Sequence, residues 1–574
     1  MKRIEKTRAL SYLLLLGAAC LAGNSLRAQE EPADDQVQLI ITYASDAERE
    51  TRMVGLQFIR DDVPGEAATR KFAALLPDLS PEAQVDMLEA LADRGDAVAR
   101  PAVLDMLKSE AETVRTAALR ALGPLGAAAD VPLLSQKAAG GSDAEKKAAR
   151  ESMVRLHGDD VNAALLAEME KGEPSVRVGL LAVLAGRNAK ESLPVVLKST
   201  EDPEETVRIA ALEALRFLAD ENDTEKLVNT LKGAKDDAES RKAELALLGV
   251  CSRGSEACAD AIVAGMTGAD VRSRTALLHA LTRAGGDKAL ETVVATLNDD
   301  DETVRNEAVR MLSSWSDAAA VPHLSAIAKK EENPRYQILA IRGLVRLASP
   351  RQDKPADLAL LGEAMDLAKR VQEKKLVIGA LSGADSPEAL DMVMPATDDP
   401  ALAEEARFAV VLIAGKMKKD DRDTATAALK KMFESAKNPL VPVLVIRGFV
   451  NLATPEQKKG EPEKPVNMEL LGEAMKLAKR PQEKEVLLDA LGTIGNAQAL
   501  ALVMPLTDDP KLAGAAGLAA VQIAEKMAEI NKDAGMKSSD KDAVRTALEK
   551  LQKGAKNRKV RDRARKVLES LEAL

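Results

Sequence analysis

The strongest constraint in this 574-residue chain is that it copies itself at a nearly fixed step. Glu112-Thr113-Val114-Arg115 returns as Pro174-Ser175-Val176-Arg177, Glu205-Thr206-Val207-Arg208, Ala269-Asp270-Val271-Arg272 and Glu302-Thr303-Val304-Arg305. The basic position falls at Arg115, Lys147, Arg177, Arg208, Arg241, Arg272, Arg305 and Arg335, with gaps of 30 to 33 residues. Weaker copies extend upstream to Gln84 and Arg52 and downstream through Lys374 and Arg407. A period of this size marks a stack of units, each of which buries its apolar face against the next.

Each copy reads as two helices. After Arg208 the chain runs Ile209-Ala210-Ala211-Leu212-Glu213-Ala214-Leu215, with apolar residues at three- and four-residue steps that form one buried stripe. Between these anchors lies a second helical pattern, as in Val131-Pro132-Leu133-Leu134, Leu193-Pro194-Val195-Val196-Leu197 and Val321-Pro322-His323-Leu324. Proline fits the first turn of a helix, where its missing N–H has no partner to lose. Gly285-Gly286-Asp287 and Asn298-Asp299-Asp300-Asp301 read as the turns between helices. Acidic residues before the Val-Arg helices suit the positive helix end.

A longer repeat covers the C-terminal part. Leu361-Gly362-Glu363-Ala364-Met365 returns 110 residues later as Leu471-Gly472-Glu473-Ala474-Met475, and Thr397-Asp398-Asp399-Pro400 as Thr507-Asp508-Asp509-Pro510. Ile341-Arg342-Gly343 and Ile446-Arg447-Gly448 are only 105 apart, so the difference falls in a loop, Ser349 to Asp357 in one copy and Thr454 to Asn467 in the other. A tandem duplication of about three helix pairs joins cleanly only in an open-ended stack.

The Asp-x-x-Val-Arg-x-x-Ala-x-x-Ala-Leu pattern at this spacing resembles the short HEAT-like repeats, the type also seen in phycobilin lyases and many bacterial exported proteins. The resemblance covers roughly residues 45–574. It implies an all-α fold, a right-handed α-solenoid of about fifteen HEAT-like helix pairs, with the second helices lining a concave face. It also implies that the repeat arginines Arg115, Arg177, Arg208, Arg272 and Arg305 are structural and bind an Asp or carbonyl of a neighbouring repeat. The expected organisation is a secretion signal over 1–28, a short linker over 29–44, an N-terminal array over 45–335 and a C-terminal array over 336–574.

The signal rests on the basic Lys2, Arg3, Lys6 and Arg8, an apolar run from Ala9 to Ala22, and a small residue for cleavage at Ala28. Leu16-Gly17-Ala18-Ala19-Cys20 approaches a lipoprotein box with its large residue one place too far upstream, so lipidation of Cys20 is the rival reading. The run is too short to span a bilayer comfortably, and no later segment is long and apolar enough. The expected location is therefore periplasmic or extracellular. Removing residues 1–28 takes away five positive charges and one negative, leaving −14. That charge opposes nucleic acid and weakly favours a basic protein partner.

The residues that carry chemistry are sparse. His157, His279 and His323 lie on different repeats, with no His-x-x-x-His or adjacent His-Glu pair, against zinc hydrolases and di-iron HEAT hydroxylases. No phosphate loop, nucleophile elbow or Cys-x-x-Cys-His occurs. Asp236-Asp237, Asp299-Asp300-Asp301 and Asp398-Asp399 do not alternate as a calcium loop does, and read as helix caps. Cys251 and Cys258 flank a short turn. An exported protein would close it as a disulfide, the alternative being two buried free thiols. Trp315, the single tryptophan, reads as packing, with an interface anchor as the alternative.

No catalytic residue, cofactor or metal site is expected. The expected function is a non-catalytic protein-binding scaffold of the envelope or exterior. The alternatives are a lyase-type enzyme or enzyme subunit, which the aromatic content of 2% opposes, and a structural spacer.

Overall fold

The computed structural model describes residues 34–330, 333–454, 465–531 and 536–572. The expected signal segment 1–28 and Cys20 lie outside these residues. Among the described residues there are thirty-two α-helices, or sixteen pairs, and the one extended contact is an isolated bridge between Arg351 and Lys354. The protein divides into two compact units between Glu307 and Ala308. That is earlier than the expected boundary at 335/336. The lengthened loops change the size of a repeat there without interrupting the stack, since Pro334–Ala348 packs on both Val321–Lys329 and Val371–Leu381.

Each unit is an α-solenoid of two helix layers. In the N-terminal unit the Val-Arg helices form one layer. Arg49–Asp61, Pro81–Arg94, Glu112–Leu125, Asp143–Arg155, Pro174–Gly186, Glu205–Leu218, Asp237–Gly254 and Val271–Ala284 each pack on the next. The partner helices, such as Val131–Gly140 and Thr224–Lys232, pack against that layer. Leu119, Leu122, Leu212, Leu215, Leu277 and Leu281 fill the space between layers. In the C-terminal unit Pro334–Ala348, Val371–Leu381, Ala403–Ala414, Leu440–Ala453, Pro481–Leu491, Ala513–Ile530 and Arg558–Glu572 stack in the same way. The core consists mainly of small and medium aliphatic side chains, which allow close-packed layers. Pro132, Pro194 and Pro322 sit in first turns, and Gly285 and Gly286 turn the backbone with φ of 72° and 81°.

The sixteenth pair corrects the expected linker. Residues Asp34–Ala44 form a helix that packs on Arg49–Asp61. Val37, Ile40 and Tyr43, with the adjacent Ala44, make a short buried stripe at three-residue steps, and Asp34 and Asp35 occupy its first turn. Gly55 is where the two helices meet. A Cβ there would stand 2.4 Å from the Ala44 amide nitrogen.

The duplicated loops are pinned alike. The Asp357 amide donates to the Ala348 carbonyl at 2.8 Å, and the Asn467 amide to that of Ala453 at 2.9 Å. Asp357 and Asn467 then cap the following helices through the Leu360 and Leu470 amides. The helices on either side of the two loops are thus joined by equivalent hydrogen bonds.

Gly55→Ala tests the close approach of the first pair. It should cost about 1–3 kcal/mol by overpacking. Faster hydrogen exchange in Asp34–Ala44, with little change beyond the second pair, is the expected outcome.

Candidate functional site

The polar side chains that the repeat pattern singles out form two ladders along the stacked helices. The first runs along the N-terminal ends of the Val-Arg layer. Arg115 donates through Nη1 to the Ser109 and Glu110 carbonyls, at 2.9 and 2.8 Å, and through Nε to Glu145 of the next helix at 2.6 Å. Arg208 does the same with the Asp202 and Pro203 carbonyls and Glu239. Arg52 holds the Asp46 and Ala47 carbonyls and reaches Asp86 at 2.8 Å. Arg305 holds the Asp299 and Asp300 carbonyls at 2.6 and 2.9 Å. One guanidinium thus ties its own turn and clamps the next repeat, a use suited to a planar five-donor fork.

The second kind of rung uses the turn acid. Arg177 donates to the Asp202 carboxylate, and Arg274 to that of Asp299 at 2.5 Å. Asp202 and Asp299 therefore join two arginines each, one through the carboxylate and one through the carbonyl. Here the structure corrects the register of the sequence period. Arg274 holds the place expected for Arg272, which instead reaches back to the Ala234 carbonyl at 3.0 Å and to Asp237. The reason is that Asp270 caps the Ser273 amide, which shifts the buried stripe by two residues. Likewise Lys147 and Arg241 are exposed, and Glu145 and Glu239 occupy the buried position. The bonded Arg115 guanidinium, followed by the Ser142 amide, holds Glu145 below the usual carboxylate range.

The other ladder runs along the C-terminal helix ends. Arg94 donates to the Ile59 carbonyl at 2.7 Å, and Arg187 to the Met153, Val154 and Leu156 carbonyls at 2.8–3.0 Å. Arg253 donates to Ala219, Lys416 to Ser382 and Lys526 to Thr493. Each cation satisfies carbonyls that the preceding helix leaves without an internal partner.

Sequence reasoning missed one cluster. His279 donates from Nδ1 to Glu244 at 2.5 Å and from Nε2 to Glu307 at 2.7 Å, so the ring carries both protons. The bonds to Glu244 and then Glu307 outweigh burial and raise its pKa to about 9. The available signal was spacing. Glu244 and Glu307 lie 35 and 28 residues from His279, about one repeat each way, which places all three on adjacent stacked helices.

The remaining expected positions are plainly placed. Cys251 and Cys258 are both buried free thiols, and no disulfide joins them. Cys251 lies in the last turn of Asp237–Gly254 and Cys258 ends the following 3-10 turn. Burial foremost, and then Cys258, pushes the Cys251 thiol up, so it does not ionise at neutral pH. Trp315 is 1% exposed and donates to Asp317 at 3.2 Å, so it is packing rather than an exposed anchor. His157 is exposed in a turn and His323 is half-buried. Among the described residues no group of three His, Cys, Asp or Glu side chains is placed to hold a metal ion, and no helix is long and apolar enough to cross a membrane. Phe217, Leu376, Leu412 and Leu440 are large apolar side chains left exposed.

Two outcomes check these assignments. Arg208→Met strands the buried Glu239 carboxylate and should cost about 3–5 kcal/mol, whereas Arg208→Met with Glu239→Met should recover most of the loss. Denaturant unfolding of both variants decides this. For His279, the folded pKa lies above its ordinary value of 6.5. The stability it contributes is complete below pH 6.5 and is lost as pH rises through about 9. His279→Gln should therefore lower the unfolding midpoint at pH 6 and converge with the parent above pH 9.

The family model for HEAT repeats matches residues 69–154, 162–248 and 259–350. No curated protein sequence matches the chain. Among solved structures, the karyopherin Kap121p bound to the extreme C-terminus of the protein phosphatase Cdc14p aligns at 12% identity and a TM-score of 0.43, covering 95% of this chain and 76% of that one. A complex of Kap95p with RanGDP aligns at 12% identity and a TM-score of 0.41, covering 95% and 94%. Over residues 69–350, where its clamped helix pairs coincide with the family match, the chain is built of HEAT repeats.

Proposed function

We propose that this protein is a non-catalytic protein-binding scaffold that acts outside the cytoplasm, in the envelope or beyond it. The observation that carries the reading is where the polar chemistry goes. The repeat arginines Arg115, Arg177, Arg208, Arg272 and Arg305 are consumed in holding the turns and the neighbouring repeats. What repetition leaves free is surface, presented along a stack in which each repeat contacts its neighbours. The exposed Leu376 and Leu412, on the neighbouring stacked helices Val371–Leu381 and Ala403–Ala414, are the kind of apolar contact an interface buries. The basic and apolar segments over residues 1–28 support export.

The test is capture from an envelope extract of the source cell with residues 29–574, at low and moderate salt, followed by reconstitution with the purified partner. A dominant protein that forms a defined complex, and is lost with Leu376→Asp and Leu412→Asp, is the expected result. No retained protein at either salt would turn the reading toward a structural spacer.

A further inference from the structure

The arginine ladder has a rung without its acid, and a cavity stands there. Arg407 occupies the rung position of Ala403–Ala414. It donates from Nη2 to the Thr397 carbonyl at 3.2 Å, and no carboxylate lies within ion-pair distance among the described residues. Its Nε is buried without a partner. Arg177 and Arg274 share that unpartnered Nε, but each gives Nη1 to a carboxylate. Those carboxylates, Asp202 and Asp299, stand three residues before the helices starting at Glu205 and Glu302. Three residues before the helix starting at Leu440 stands Lys437. The acid of the rung is thus replaced by a second cation.

Arg407 and Lys437 line one cavity of about 590 Å³, together with Thr397, Asp398, Glu404 and Asn438 among others. It lies beside the N-terminal ends of Ala403–Ala414 and Leu440–Ala453. Glu404 on its rim is engaged by Asn438 Nδ2 at 2.6 Å. Asp398 and Glu404 offset part of the charge of the two cations, so the cavity suits one carboxylate held by direct hydrogen bonds rather than a dianion such as phosphate. Arg407 is not a general feature of the duplicated segment. The residue 110 positions on is Gly517.

We infer that this cavity binds a carboxylate supplied by a protein partner, either an Asp or Glu side-chain carboxylate or the terminal α-carboxylate, which completes the missing rung against Arg407 and Lys437. This rests on the scaffold reading above and names the chemistry of one contact within it. The net acidity of the protein does not oppose it, because the two cations act at contact distance and the net charge acts through screening solvent.

The experiment uses the full mature protein with 15N-labelled arginine. It follows the Arg407 Nε–Hε resonance, assigned with Arg407→Lys, during titration with three Gly-Ser peptides. One carries a single internal Glu and an amidated C-terminus, one has Gln there and a free C-terminus, and one has Gln and an amidated C-terminus. A saturable shift with either carboxylate peptide, and none with the blocked peptide, is expected, and the first two distinguish the two carboxylate sources. Lys437→Asp rebuilds the rung. It should abolish the shift, with binding at least about tenfold weaker, and raise the unfolding midpoint. An equal shift with the blocked peptide, no saturable shift, or unchanged binding by Lys437→Asp overturns the inference. The scaffold reading fails separately. If envelope capture is intact in Arg407→Gln, only this contact is lost, whereas an empty capture with the parent protein removes the scaffold itself.

Discussion

The architecture depends on the clamp formed where one arginine binds two carbonyls of its own turn and a carboxylate of the next repeat. A helix pair of about thirty residues cannot bury its own apolar face, so it is stable only against its neighbours. Apolar packing supplies that stability but does not by itself set the register between pairs. The guanidinium does, because its donors demand fixed directions. Arg208 and Glu239 are nearly fully buried, where a misplaced partner would leave charge unpaired at a cost of several kcal/mol. The junctions clamped by Arg52, Arg115 and Arg208 therefore each have one low-energy arrangement.

The same geometry explains why the fold tolerates a tandem duplication. Glu373 and Glu483, 110 residues apart, both hold the two amides at the start of their helix and pair with Arg370 and Arg480. Each copy brings its own capping set. The helices that flank the two loops of different length are joined by equivalent hydrogen bonds, from Asp357 to Ala348 and from Asn467 to Ala453. Function then has two places to reside, in surface side chains free of the ladders and in rungs whose partner is missing.

Much of the fold was legible because its causes are local and repeated. The Val-Arg step, the first-turn prolines and the three- and four-residue apolar spacing each report a helix pair directly. The register was harder. Lys147, Arg241 and Arg272 sit where the period expects the clamp, yet Glu145, Glu239 and Arg274 hold it, because a helix can start two residues earlier or later without changing the repeat length. The Asp34–Ala44 pair was missed because it carries no Val-Arg signature, only a short apolar stripe. The His279 cluster left only a faint trace, its spacing of about one repeat, and the bare rung at Arg407 left none. Both consist of residues a repeat apart, and only stacking brings them together. The thiols of Cys251 and Cys258 could be read either way from their spacing, and both stand as buried free thiols.

The most direct test of the clamped-stack account is hydrogen exchange along the full-length protein with Arg115→Met. Loss of protection should be largest in Glu112–Leu125 and Asp143–Arg155, fade within one or two pairs, and leave Val371–Leu381 and Pro481–Leu491 at parent values. Uniform loss of protection over all sixteen pairs would contradict it, because the protein would then unfold as a single cooperative body rather than as a stack held junction by junction.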